Sequence, residues 1–386
     1  MTGTRRLVIV GGGPAGLSAA RGYRDAGGGG DVTLLTPERD LPYQRPPLSK
    51  EYLRGHAGEA ELPLESPGWY AEHGIAVRLG TEATALDPGA RVVTAGGVPV
   101  PFDVCVLATG ARPAPLPVPG GDDPRVLHLR SLASARTLRE RAGAASRAIV
   151  IGAGFIGCEA AASLAMRGVA VTLVAQEDVP HAPRLGDPAG RRIQAWLEEH
   201  GVSLVLGAAV EAIEDGARVR AGGRELEVDL VLVAGGIRPC AGLAEAAGVR
   251  CADGRVVVDE HMRSSHPGIL AAGDVARAFN AAAGRHLAVE HWGDALAMGE
   301  VAGRTAAGED AEWDEAPGFW STIGTRTLKY AAWGDGYDEA RLVQRPAGGW
   351  SVWYGRDGVA VGVLAHEADA DYERGRELVE HGAPLP

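Results

Sequence analysis

The first apolar block of the chain, "LVIV" at residues 7–10, stands between two arginines and three glycines. A short unbroken run rich in β-branched residues predicts a strand buried on both faces. The alanine-rich stretch that follows predicts a helix, so "RRLVIVGGGPAGLSAARGYRDAG" reads as strand, glycine turn and helix. "DVTLLT" supplies a second strand. About 140 residues later the pattern returns in "SRAIVIGAGFIGCEAAASLAMRGVAVTLVAQ", again with strand, turn, helix and strand. "VCVLATGARP" (104–113) and "VLVAGGIRP" (231–239) predict apolar strands that end in a glycine turn and a proline. "GILAAGDVA" (268–276) predicts a strand running into Gly273 and Asp274.

The glycines carry the chemistry. Gly11, Gly13 and Gly16 fit G-x-G-x-x-G, and Gly152, Gly154 and Gly157 repeat it. In such a turn the first glycine permits the tight bend and the second lets backbone approach a pyrophosphate. The third lets helix and strand pack closely, and the helix N-terminus offers unpaired N–H groups to an anion. Glu38, 22 residues after Gly16, stands near where an acid would hold an adenosine ribose. Two such turns in correct context predict two dinucleotide cofactors, most economically FAD and a nicotinamide dinucleotide. Asp274, at a strand end, can accept a hydrogen bond from a sugar or ribityl hydroxyl, or cap a helix.

Composition narrows the class. The 386 residues exceed what one core usually supports, so two or three domains are expected. At 46% apolar and 23% charged the chain reads as globular. A formal charge of −12 argues against a nucleic-acid role. Cys105, Cys158, Cys240 and Cys251 form no C-x-x-C pair and no metal spacing, which fits free thiols in a reducing cytoplasm and no bound metal. The basic, apolar start mimics a signal peptide, but its glycines suit a turn better than a signal core. No run approaches a membrane span.

The motifs "GGGPAG", "YQRPPLSK", "ATGARP", "GAGFIGCE" and "GILAAGDVA", in that order, closely resemble FAD-dependent NAD(P)H:ferredoxin reductases of the putidaredoxin and rubredoxin reductase kind, from about residue 5 to about 380. R-P-P-L-S-K is the most specific of them. The resemblance implies an α/β fold with two Rossmann-like dinucleotide-binding domains and a small C-terminal α+β domain. It implies FAD binding by 1–112 and 238–315, NAD(P) binding by 113–237, and a reductase domain over 316–386. "GFWSTIGTRTLKYAAWG" and "GGWSVWYGRDGVAVGVLAH" then read as alternating strands and "DADYERGRELVEHG" as a closing helix.

Carried over by position, FAD contacts fall on Ala15, Lys50, Ala83, Arg130, Asp274 and Trp292. The candidate cofactor set also takes in Pro14, Arg45, Ala108, Thr109, Gly110, Phe155, Ile156, Gly235 and Gly236 from the same motifs, with His291 and Trp320 as residues near the flavin. Two departures stand out. The family's ribose acid often lies one residue earlier, where this chain has Pro37, and its last flavin contact is often small and aliphatic, where this chain has Trp292. For the nicotinamide cofactor, the place of the acid that NADH-preferring relatives carry holds Ala175. Glu177 follows and would repel a 2′-phosphate, and Arg184 is the nearest arginine. The expectation is NADH, with NADPH as the alternative.

Lys50 is one of only two lysines in the chain. Reduced flavin carries negative charge, and a cation near it stabilises the product of hydride transfer. The expectation is a Lys50–Glu159 ion pair beside flavin N5, a compact ammonium filling a slot that a guanidinium would not. The expected function is electron transfer from NADH through FAD to a ferredoxin or similar iron–sulfur protein, met transiently, by a monomer or homodimer. Rivals are an apoptosis-inducing-factor-like NADH-binding flavoprotein and an NADH oxidase or other-acceptor reductase. A disulfide reductase would need a redox cysteine where "YQRPPLSK" has none. Arg304, Arg326 and Lys329 are candidate docking cations.

Overall fold

In the computed structural model, which describes residues 5–346 and 348–386, the LVIV run is the middle strand, Leu7–Val10, of a five-stranded parallel sheet. The order across that sheet is Ile269–Ala271, Val104–Leu107, Leu7–Val10, Val32–Leu35 and Ile75–Arg78. Every residue of the middle strand is buried, as a strand covered on both faces requires. Helix Pro14–Asp25 follows, with Pro14 in its first turn, where the missing N–H costs nothing. It packs on helix Trp292–Ala307 at near-backbone distance. A Cβ on Gly299 would lie 2.3 Å from the Ala15 carbonyl oxygen, and one on Gly303 2.2 Å from that of Ala19. The small residues in both helices permit this approach. A three-stranded antiparallel sheet, Ala83–Asp87, Val92–Ala95 and Val98–Pro101, belongs to the same compact unit, which comprises residues 1–44, 63–112 and 238–319.

The second unit comprises residues 45–62, 113–237 and 320–386. Its parallel sheet runs Ser203–Val205, Ala170–Val174, Arg147–Ile151, Leu230–Val233 and Leu127–His128. An antiparallel sheet of Val210–Glu214, Arg218–Ala221 and Arg224–Glu227 packs on it through Ile149, Ile151, Val174, Val219 and Val231. The C-terminal part is an antiparallel sheet whose order runs from residues 320–323 through Arg326–Ala332, Val359–His366 and Trp350–Arg356 to Glu339–Gln344, and it is covered by helix Asp369–Glu380. Trp353 and Val363 on the sheet meet Tyr372 and Leu378 on that helix. The fold is thus α/β, with two Rossmann-like sheets and a small C-terminal α+β part. Among the described residues no helix is long and apolar enough to cross a membrane.

Candidate active site

Both glycine turns are built alike. Gly11 has φ +125°, and a Cβ on it would lie 2.0 Å from the Ala108 carbonyl oxygen; Gly152 has φ +106° and would meet Ala234 at 2.5 Å. A Cβ on Gly16 would lie 2.0 Å from the Gly11 oxygen, and one on Gly157 1.9 Å from the Gly152 oxygen. The first and third glycines therefore exclude any side chain. The middle glycines differ: a Cβ on Gly13 or Gly154 would meet nothing within 4 Å. Neither helix start carries a side-chain cap. Open space against an uncapped helix N-terminus fits a pyrophosphate at each turn, so these residues suit two dinucleotides.

In the first unit the turn lies where strand order reverses, between Leu7–Val10 and Val104–Leu107, the usual position of a ligand in an open α/β sheet. Ala108, Thr109 and Gly110 follow the second of these strands, and Thr109 Oγ1 donates to the Cys240 carbonyl at 2.8 Å. Ala15 is buried; a Cβ on Gly273 would touch its Cβ at 3.1 Å. Glu38 follows the strand next to the turn; its carboxylate accepts the Tyr43 hydroxyl at 2.5 Å, which fixes its position. Asp274 is buried within the turn Gly273–Val275, whose N-cap is Ala272, so the aspartate is not the cap. His291 is the N-cap of helix Trp292–Ala307, and its Nδ1 lies 3.1 Å from Asp294 Oδ2, which also accepts the Gly318 amide at 3.2 Å. The His291 ring lies 4.8 Å from that of Phe319, and Trp292 opens the helix. Ala83 is apart from this group along the chain, paired with Ala95 in the small antiparallel sheet.

The second unit holds the other candidates. Gly235 and Gly236 follow strand Leu230–Val233, and Gly236 has φ +97°. Phe155 and Ile156 open helix Phe155–Met166, with Ile156 exposed. Beyond strand Ala170–Val174, Glu177 is exposed and its carbonyl accepts the Gly207 amide at 3.0 Å. Arg184 is exposed on the helix that starts at Ala182. Arg45 donates to the Arg130 carbonyl at 2.8 Å, which joins those two candidates. Trp320 is 44% exposed.

Lys50 and Glu159 meet. Lys50 is 6% exposed and Glu159 3% exposed, and Lys50 Nζ lies 2.8 Å from Glu159 Oε2. A buried ion pair loses hydration and needs further hydrogen bonds to offset that loss. Glu159 obtains them: Ser49 Oγ donates to Oε2, while Ser321 Oγ at 2.7 Å and the Thr322 amide at 3.3 Å donate to Oε1. Lys50 Nζ has a second, longer contact with Ser49 Oγ at 3.4 Å. With Glu159 and Ser49 as its acceptors among the described residues, the ammonium keeps a third N–H for another group. The segment that carries Lys50 is tied to the glutamate's helix. Ser163 Oγ donates to the Ser49 carbonyl at 2.8 Å, Arg54 Nε to Ser163 Oγ at 3.1 Å, and Arg167 to the Leu53 carbonyl at 2.6 Å.

Several of these partners escape sequence reading. Ser49 lies inside the quoted R-P-P-L-S-K motif, yet only its contact gives it a role. Ser321 and Thr322 carry no local signal at all. His181 is likewise silent in the sequence. It sits buried at φ +60°, its ring 4.0 Å from that of Phe155, and its Nε2 has no hydrogen-bond partner among the described residues. Burial, helped by the nearby Arg184 charge, drives its imidazole down to about 3.

Two of the four thiols are poor nucleophiles. Cys105 and Cys158 are buried, and burial pushes the Cys105 thiol up to about 12 and raises that of Cys158 as well. The three candidate docking cations are each paired: Arg304 with Glu309, Arg326 with Glu199 and Lys329 with Asp369.

Residues 5–299 match the family described as pyridine nucleotide-disulphide oxidoreductase. Putidaredoxin reductase of Pseudomonas putida is 31% identical over 399 aligned residues, covering 100% of this chain and 94% of that protein. A ferredoxin–NAD(P)+ reductase of a Sphingomonas species is 32% identical over 97% of this chain and 92% of its own length. The reductase in a covalent putidaredoxin reductase–putidaredoxin complex superposes with a TM-score of 0.93 at 31% identity, covering 98% of this chain and 94% of that one. The chain therefore belongs to the pyridine nucleotide-disulphide oxidoreductase family, within its group of FAD-dependent, NAD(P)H-using ferredoxin reductases.

Proposed function

We propose that this protein passes electrons from NADH to a small iron–sulfur protein, with FAD as the resident cofactor. The observation that carries the reading is the likeness, over nearly the whole chain, to a reductase captured with its putidaredoxin partner. Bound FAD supplies the switch from two-electron to one-electron chemistry, taking a hydride and giving up electrons singly. The protein's own residues bind, orient and set the field. Gly11, Gly13 and Gly16, with Ala15, Ala108–Gly110, Glu38 and Asp274, hold the FAD phosphates and sugars in residues 1–112 and 238–315. Gly152, Gly154 and Gly157, with Phe155, Ile156, Gly235 and Gly236, hold the nicotinamide dinucleotide in residues 113–237.

Lys50 supplies positive charge toward the reduced flavin through its remaining N–H, and Glu159 anchors the ammonium. Arg45, Ala83, Arg130, His291, Trp292 and Trp320 complete the candidate flavin contacts. Exposed Glu177 disfavours a 2′-phosphate, which supports NADH over NADPH, and Arg184 is the nearest arginine along the chain. Free thiols fit a cytoplasmic setting, and burial of Cys105 and Cys158 disfavours a dithiol route through them. Residues 316–386 form the reductase domain.

The test is stopped-flow reduction of the holoprotein by NADH and by NADPH, followed by cytochrome c reduction with and without added ferredoxin. Rapid flavin bleaching with NADH, and cytochrome c reduction that depends on the iron–sulfur protein, are expected. Equal rates without ferredoxin would favour an oxidase or another acceptor.

A further inference from the structure

One carboxylate in the second unit receives donors from two separate stretches of chain. Glu159 Oε2 takes Lys50 and Ser49; Oε1 takes the Ser321 hydroxyl and the Thr322 amide. Ser321 is 1% exposed, and its neighbour Trp320 is exposed, the alternation of a half-buried strand. A hydroxyl buried on a sheet ordinarily finds a backbone acceptor nearby. Ser321 instead spends its proton on a glutamate 162 residues away. The Thr322 hydroxyl is occupied elsewhere, with Thr327 Oγ1 at 2.9 Å, so only its amide serves Glu159. Among the described residues the charged groups facing Glu159 are Lys50 and, more weakly, Arg54, whose pKa burial lowers against the pull of Glu51 and Glu159.

We propose that Ser321, with the Thr322 amide, is a positioning residue for flavin reduction. By fixing one oxygen of Glu159 and drawing negative charge toward it, this clamp sets how much of the Lys50 charge remains available to bound flavin. The inference rests on the proposed role of Lys50. A carboxylate stripped of the Ser321 proton would lean its full charge on Lys50, weaken the positive field and make reduced flavin harder to form. Hydrogen bonds to charged groups are stronger than neutral ones, so the loss is measurable.

Four holoprotein variants test this. Ser321→Ala is expected to lower the flavin midpoint potential and slow reduction by NADH about three- to tenfold, a part of the worth of one charged hydrogen bond. Ser321→Thr keeps the hydroxyl and is expected to restore both. Ser351→Ala removes another fully buried serine of the same sheet, one that donates to Asp371 at 2.7 Å, and is expected to change neither. Lys50→Met is the control for the underlying reading and is expected to lower the potential further. In each variant, exchange of the Thr322 amide is followed by NMR or mass spectrometry in protein with and without FAD, and it is expected to quicken in Ser321→Ala alone. If Lys50→Met leaves potential and rate unchanged, the role of Lys50 falls and the inference with it. If Lys50→Met acts while Ser321→Ala matches the parent, or Ser351→Ala matches Ser321→Ala, the clamp alone is overturned.

Discussion

A neutral, buried imidazole is an acid-sensitive point in the fold. His181 titrates near 3 in the native protein because burial disfavours its charged form, whereas an unfolded histidine titrates near about 6.5. Between these values the unfolded chain binds the extra proton, so stability rises with pH through that window. The contribution is complete above about 6.5 and is lost as pH falls toward 3. At pH 5 this one residue is expected to cost ~2 kcal/mol relative to pH 7. In His181→Leu, urea unfolding midpoints at the two pH values should draw together by a corresponding amount; an unchanged gap would remove His181 from the account. The same ring packs against Phe155 at the start of the second glycine helix, so its protonation would disturb that turn first.

At the scale of elements, the two strand–turn–helix units can be separated by single methyl groups. Gly16→Ala and Gly157→Ala each drive a Cβ to within 2.0 Å or less of a backbone carbonyl oxygen that cannot step aside. Each should open its own turn while sparing the other. Gly16→Ala is expected to yield protein with little bound flavin, measured by absorbance after purification with excess FAD. Gly157→Ala is expected to keep its flavin and lose NADH affinity at least about tenfold, measured by titration of flavin reduction. The reverse pattern would exchange the two cofactor assignments. Helix–helix contact in the first unit is governed by the same steric rule. Gly299 and Gly303 let Trp292–Ala307 lie against Pro14–Asp25, which positions Ala15 beneath Gly273.

For the molecule as a whole, a cofactor that binds only the folded chain adds to stability by mass action. Stripped of FAD, the protein should melt at a lower temperature, and added FAD at a hundredfold excess over its dissociation constant should restore about 2.7 kcal/mol. Calorimetry of stripped and reloaded protein reads this directly, and a midpoint indifferent to FAD would contradict flavin binding by the native fold. The net charge of −12 and the pairing of Arg304, Arg326 and Lys329 with acids leave these three cations partly neutralised. Long-range steering of an acidic acceptor by these three cations is correspondingly weakened.

The sequence by itself determined the repeated strand–turn–helix plan, because its signals are local. Apolar runs of strand length, glycines at fixed offsets and alanine-rich helices each follow from neighbours within a few residues. It also singled out Lys50 and Glu159, through their motifs. Only the tertiary structure decided what holds that pair. Ser49, Ser163, Ser321 and Thr322 are ordinary polar residues with no periodic or compositional mark. Their roles arise because buried charge must find donors, and folding decides which distant hydroxyl is near enough to give one. His181 is of the same kind, a histidine made neutral by the packing around it rather than by anything beside it in the chain.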